Sequence, residues 1–175
     1  MACARRAALQ LLREQGYEAV NIKQLAQTLD CSTQPVYLFL FRDGGAAERP
    51  DPAGCEEFER YMMAGSREDL VCLYGMRYLS FAQEEPRLFR FLFMRPQAFS
   101  QLRQALFPMI ERSVAALMET YRIGHEEADL LHDQLWMHAH GIAAMIATDF
   151  CDWDMAKVER MLDGCRHAFT QQYEV

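Results

Sequence analysis

"CSTQPVYLFLF", Cys31 to Phe41, opens on small polar residues, sets a proline in fifth place and then turns almost wholly apolar and aromatic. A core helix has no use for Thr33 and Gln34. A solvated loop has no use for Val36, Tyr37, Phe39 and Leu40. A short helix with two unlike faces accommodates both sets. Ser32 is placed to cap it, and Pro35 falls within its first turn, where a missing N–H costs little. Val36 and Leu40, four residues apart, point inward, which leaves Thr33, Gln34 and Tyr37 facing out.

The residues before this stretch supply what the inner face packs against. A helix from about Ala4 to Gln15 carries Ala8, Leu11 and Leu12 on one face and stops at Gly16. A short second helix is capped by Asn21, with Gln24 completing a capping-box pattern, and buries Ile22, Leu25, Ala26 and Leu29. Joined to the next helix by "LDCS", it forms a helix-turn-helix pattern. In such a unit the second helix lays its first turn on DNA. Gln34 can pair bidentately with adenine, Thr33 can meet a phosphate or a thymine methyl, Pro35 offers an apolar contact, and Tyr37 can donate to a phosphate. Its N-terminal N–H groups can hold a phosphate directly. Lys23 and Arg42, with Arg5 and Arg6, are the nearby cations.

Beyond Phe41, "RDGGAAERPDPAG" (Arg42 to Gly54) reads as a Gly/Pro-rich linker. It divides the chain into a reading unit, 1–43, a linker, 44–54, and a larger remainder, 55–175. That remainder is helical throughout, with segments expected over Cys55–Gly65, Arg67–Glu84, Pro86–Met94, Pro96–Tyr121, Glu126–Asp149 and Asp152–Tyr173. No stretch shows sustained strand alternation, so the predicted fold class is all-α.

The net charge of −7 is unevenly spread. Residues 1–43 hold five basic and four acidic side chains, and the remainder 13 and 21. The acidity belongs to the larger part, so the first part is free to meet nucleic acid. Six cysteines without a C-x-x-C pair, and no export signal at the amino terminus, predict reduced thiols in the cytoplasm. The sequence carries no G-x-S-x-G, no H-E-x-x-H, no phosphate loop and no paired catalytic carboxylates, so no enzyme, metal or cofactor is expected. His132, His138 and His140 lack the spacing and partner ligands of a metal set.

Over Ala7 to Phe41 the chain resembles the TetR-type bacterial transcriptional regulators, through the Leu-Leu helix ending at Gly16, the Ile22–Leu25–Ala26 stripe, and Ser32 followed five residues later by Tyr37. "YLSFAQEEPRLFRFLFM" (Tyr78–Met94) and "LWMHAHGIAAMIATDF" (Leu135–Phe150) resemble ligand-domain segments of that family, in the family's order. The resemblance implies a homodimeric, ligand-responsive DNA-binding regulator, most often a repressor, acting on a palindromic operator. It implies DNA contacts from Lys23, Ser32, Thr33, Gln34, Pro35, Tyr37 and Arg42. It also implies that the last two helices pair between subunits as a four-helix interface, through Ile142, Met145, Ile146, Met161, Leu162 and Phe169.

Aromatic and methionine side chains make adaptable apolar walls. In the family that the chain resembles the ligand sits inside this helical bundle, so the resemblance implies an apolar or amphipathic small-molecule effector in the bundle between Cys55 and Tyr121. The candidate pocket residues are Phe58, Met62, Tyr74, Phe81, Phe93, Phe107, Trp136 and His140. A second reading takes the protein as a helical small-molecule-binding or interaction protein in which DNA binding is weakened or lost. The acidic balance, Asp43 and the linker motivate it.

Overall fold

The computed structural model describes residues 2–42, 52–64, 70–96 and 99–173, with the side chains of 2, 5, 17, 38–42, 52–53 and 70–73 outside the description. Among the described residues there are ten α-helices and no strand: α1 (Ala2–Gln15), α2 (Ile22–Thr28), α3 (Thr33–Arg42), α4 (Pro52–Met62), α5 (Leu70–Glu84), α6 (Pro86–Phe93), α7 (Phe99–Ala105), α8 (Phe107–Tyr121), α9 (His125–Ala147) and α10 (Met155–Thr170). The fold is all-α.

Local chemistry sets the boundaries in the first part. Gly16 takes φ +90°, a conformation open to glycine, and its N–H closes on the carbonyl of Leu12 at 3.0 Å. Asn21 caps α2 by accepting from the N–H of Gln24 at 3.1 Å. The return arm differs from a standard capping box. The Gln24 side chain meets the Asn21 side-chain amide at 3.0 Å, while the Asn21 backbone N–H goes to Ala19 at 2.9 Å.

The turn between α2 and α3 is a Schellman closure. Cys31 N–H reaches Ala26 and Asp30 N–H reaches Gln27, with Asp30 itself at φ +48°. This left-handed residue reverses the chain and lets Val36 fall back on α1 and α2. Val36 is buried with Ala7, Ala8, Leu11, Leu25 and Ala26, and Val20, Ile22 and Leu29 pack around them. Leu40 and Arg42, expected to pack inward and to meet phosphate respectively, lie outside the described side chains.

Two expected boundaries are corrected. The linker was expected to run to Gly54, but α4 already begins at Pro52, because a first helical turn accepts proline. The single helix expected over Pro96–Tyr121 is two helices that meet at Leu106. Pro108 has no N–H to give a preceding turn and its ring clashes with that turn's carbonyl, so the helix restarts with Leu106 as its cap. Residues 43–51 and 65–69, which hold most of the expected linker, the expected end at Gly65 and the expected start at Arg67, lie outside the described residues.

The chain divides into two compact units, Met1–Phe58 with Arg87–Ala105, and Glu59–Pro86 with Leu106–Val175. These differ from the division expected at the linker. Particular contacts draw the start of α4 and the whole of 87–105 into the first unit. Arg13 pairs with Glu57 at 2.7 Å, and Arg87 donates to the terminal carbonyls of α1 at Arg13 and Glu14. A cation on the last carbonyls of a helix satisfies orphan acceptors and complements the helix dipole. Gly54 brings α4 close to α6: a Cβ there would stand 3.1 Å from a methyl of Leu92. In the second unit α9 is the central helix, packed against α5, α8 and α10.

If the Schellman turn sets the α2–α3 geometry, Asp30 should answer to backbone strain. Asp30→Gly should be neutral or stabilising by up to about 1 kcal/mol, and Asp30→Val should cost about 1–2 kcal/mol. Urea unfolding curves of the two variants check the sign of each.

Candidate functional site

The second unit holds a cavity of about 80 Å³ among α5, α8, α9 and α10. Its wall from α9 is the stripe His132, Leu135, Trp136 and Ala139, spaced i, i+3, i+4, i+7, with His138 at its edge. From α5 come Tyr74, Gly75, Met76 and Tyr78; from α8, Ser113 and Leu117; from α10, Leu162, Asp163, Cys165 and Arg166. Gly75 is the point of close approach between α5 and α10, since a Cβ there would lie 3.3 Å from a methyl of Leu162.

A polar network runs through the cavity wall. The Tyr78 hydroxyl lies 2.9 Å from Nδ1 of His140 and is hydrogen-bonded to Trp136 as well. An indole N–H can only donate, so the tyrosine oxygen accepts from Trp136. The imidazole stacks on Trp136, with ring centroids 5.1 Å apart and planes at 29°. Burial holds His140 below the usual imidazole range, and pushes the hydroxyls of Tyr74 and Tyr78 well above the usual phenol range. Tyr78 is raised despite the indole donation, which acts in the opposite direction. Burial also raises the Cys165 thiol. All four groups are therefore uncharged at neutral pH.

Asp163 and Arg166 pair at 3.3 Å, and His132 Nδ1 lies 3.5 Å from Asp133. His138 has a buried Nε2 with no hydrogen-bond partner among the described residues.

Of the eight expected pocket residues, Tyr74 and Trp136 line this cavity. His140 is held behind the wall by Tyr78 and Trp136. The rest are elsewhere. Phe58, Met62 and Phe81 are fully buried core side chains. Phe93 packs on Phe58 and Phe89 in the first unit, with centroids 5.0 and 4.9 Å apart. Phe107 is 55% exposed. The reason is chemical: a phenylalanine gains most from complete burial, whereas a site wall needs residues with both a ring and a polar end. The cavity also extends well past Tyr121, into α9 and α10, beyond the segment expected to hold it. The i, i+3, i+4, i+7 stripe on α9 is its one trace in the sequence, and a stripe of that spacing marks an ordinary packed helix face equally well.

On the first unit, the side chains at the start of α3 divide as its two-faced pattern requires. Val36 is 2% exposed, while Ser32, Thr33, Gln34 and Pro35 are exposed and Tyr37 is 53% exposed. Lys23 is exposed on the first turn of α2.

The six expected interface residues divide as well. Ile142 is buried in the chain's own core, Leu162 lines the cavity, and Phe169 packs on the Val114–Leu117–Leu131 cluster. Met145, Ile146 and Met161 are half-buried. The large exposed apolar side chains of α9 are Leu130 and Met137, at 59% and 58%.

Residues 73–167, more than half of the chain, match the family model described as tetracyclin repressor-like, C-terminal domain. The chain belongs to the tetracyclin repressor-like family. No curated protein matched it as a relative. The match covers α5 almost entirely, α6 to α9, and α10 up to its last turn, so every wall of the cavity falls inside it. This tetracyclin repressor-like chain is accordingly a regulator of that family rather than an enzyme. Among its described residues no helix is long and apolar enough to cross a membrane.

The lowered His140 sets a pH dependence. Its folded-state affinity for a proton is below that of the unfolded chain, so its contribution to stability is complete above the ordinary imidazole value of 6.5 and is lost as pH falls through that value toward the folded one. Thermal melts from about pH 8 to about pH 5 should show a declining melting temperature, and His140→Gln should flatten that decline.

Proposed function

We propose that this regulator acts as a homodimer that reads a palindromic DNA operator through the start of α3 and releases it, as a repressor does, when a small molecule occupies the α5–α8–α9–α10 cavity. Residues 1–43 are the reading unit in this proposal. One observation carries the DNA reading. At the start of a helix whose Val36 is buried, Thr33, Gln34, Pro35 and Tyr37 all stand exposed. A solvated hairpin has no need of that set, whereas a major-groove helix needs short polar side chains at its N-terminal end. Lys23 and Ser32 are exposed beside them, and we assign Arg42 to the same phosphate-binding set.

The homodimer is supported by Leu130 and Met137, large apolar side chains exposed on a helix whose other faces are covered by its own chain. Met145, Ile146 and Met161, all half-buried, belong to the same proposed contact. Two reading helices would then meet half-sites about one turn of DNA apart. An occupant that alters the α9–α10 packing changes their separation, which shifts the population away from the DNA-competent form.

The DNA assignment is checked by fluorescence anisotropy with the duplex flanking the protein's own gene. Gln34→Ala should relax specificity by about 1–3 kcal/mol per half-site, while Tyr37→Phe should weaken all sequences alike. A double variant as tight and as selective as the parent would remove the assignment. With few cations nearby, the loss of affinity with salt should be shallower than for a strongly basic binder.

The dimer is checked separately. A Cβ at Gly141 meets nothing within 4 Å beyond its own helix backbone, so Gly141→Glu should leave the monomer folded. At a packed subunit contact the same carboxylate is costly. Sedimentation at micromolar concentration should show the parent as a dimer and the variant as a folded monomer.

A further inference from the structure

The four walls of the cavity are not held equally. Fully buried side chains fix three of them: Leu79 and Phe81 on α5, Val114 on α8, and Ala128, Leu131 and Ala143 on α9. On α10 the buried residues are Val158 and Thr170, one near each end, and everything between them is half-buried or exposed. Among the described lining residues the exposed one is Asp163, also on α10, so the cavity comes to the surface along this helix. A segment with few buried contacts is the one that opens at least cost.

Two glycines fit that opening. A Cβ at Gly75 would stand 3.3 Å from a methyl of Leu162, so the seat of Leu162 on α5 is bare helix backbone. No interlocked side chain has to move when Leu162 lifts from it. Gly164 has no such packing reason, since a Cβ there meets nothing within 4 Å beyond its own helix backbone. It lies midway between Val158 and Thr170, and, two residues from both Leu162 and Arg166, it faces away from the cavity. Glycine inside a helix weakens it. On the outer face it also leaves room for the helix to bend away from the cavity.

The size of the cavity makes such an opening necessary. Its volume of about 80 Å³ is roughly half that of an engineered apolar cavity that binds benzene, about 150 Å³. A guest with a ring therefore enters only if a wall gives way.

We propose that α10 is the wall that gives way, flexing at Gly164, and that Leu162, lifted from Gly75, sets the size of guest the site accepts. The inference rests on reading this cavity as the effector site. The apparent affinity for a guest is the intrinsic one scaled by the fraction of chains with the wall open. Gly164 thus governs affinity without touching the guest.

The test uses the full chain without DNA, with benzene and indole as probes of two sizes, read by thermal shift and calorimetric titration. The parent should bind benzene saturably and indole more weakly. In Leu162→Ala the affinity for indole should rise at least about tenfold, and by more than that for benzene, because the wall no longer has to lift. Leu162→Val, the milder change, should move in the same direction if the alanine variant fails to fold. Gly164→Ala should raise the melting temperature of the free protein by about 2–4 °C and yet bind benzene several-fold more weakly. A glycine without a role in opening predicts the first change and not the second. Unchanged benzene affinity in Gly164→Ala would overturn the hinge. If sedimentation also showed a weakened dimer, Gly164 would belong to the subunit contact instead. The parent's preference for benzene over indole, kept in both Leu162 variants, would overturn the role of Leu162 and leave the cavity standing as a guest site. No binding of either probe by the parent or the Leu162 variants would overturn the whole proposal, and operator binding by the same protein would leave the DNA reading standing.

Discussion

A helix that is apolar nearly all round has to be covered nearly all round, and α9 imposes that constraint on its whole unit. Ala128, Leu131, His132, Ala139, Ile142, Ala143 and Ala147 are buried along its length. The alanines keep its surface low, so that α5, α8 and α10 can each come close. The cavity lies where α9 presents His132, Leu135, Trp136, His138 and Ala139 to those neighbours. Tyr78, Trp136 and His140 tie α5 to α9 at its wall through hydrogen bonds and ring stacking.

In the first unit the controlling feature is smaller. Asp30, in a left-handed conformation, sets the angle at which α3 leaves α2, and that angle decides that Val36 is buried and Gln34 is not. The same unit includes α6 and the start of α4. Arg87 on the final carbonyls of α1 and Glu57 on Arg13 give that union a polar anchor at one end of α1. Burial of Leu88, Phe89 and Leu92 supplies the apolar part.

Much of this is legible in the sequence. Asn21, Gly16 and the apolar stripe Leu25–Ala26 act locally, within one turn of the residues that define them, and short-range chemistry is what a sequence records most directly. The two-faced pattern of Cys31–Phe41 predicted the burial of Val36 and the exposure of Gln34 for the same reason. The break at Leu106 was equally local, in Pro108, but the strong apolar periodicity around it masked the signal. Division into units and the position of the cavity were not legible. They depend on which distant side chains meet: Arg87 with the end of α1, or Leu162 with Gly75. Phe58 and Phe81 have the composition of pocket residues and the burial of core residues, and only packing distinguishes the two. His138 and Leu162 carry no motif, so their place on the cavity wall had no local signature.

The central claim is that two copies of this chain act together on one DNA site. Native mass spectrometry of the full chain mixed with the duplex flanking its own gene tests it most directly, because mass reports stoichiometry without a model of shape. The account predicts a complex of two chains on one duplex, formed in preference to a scrambled duplex of the same length. A complex of one chain per duplex, or no preference for the flanking DNA over the scrambled one, would contradict it.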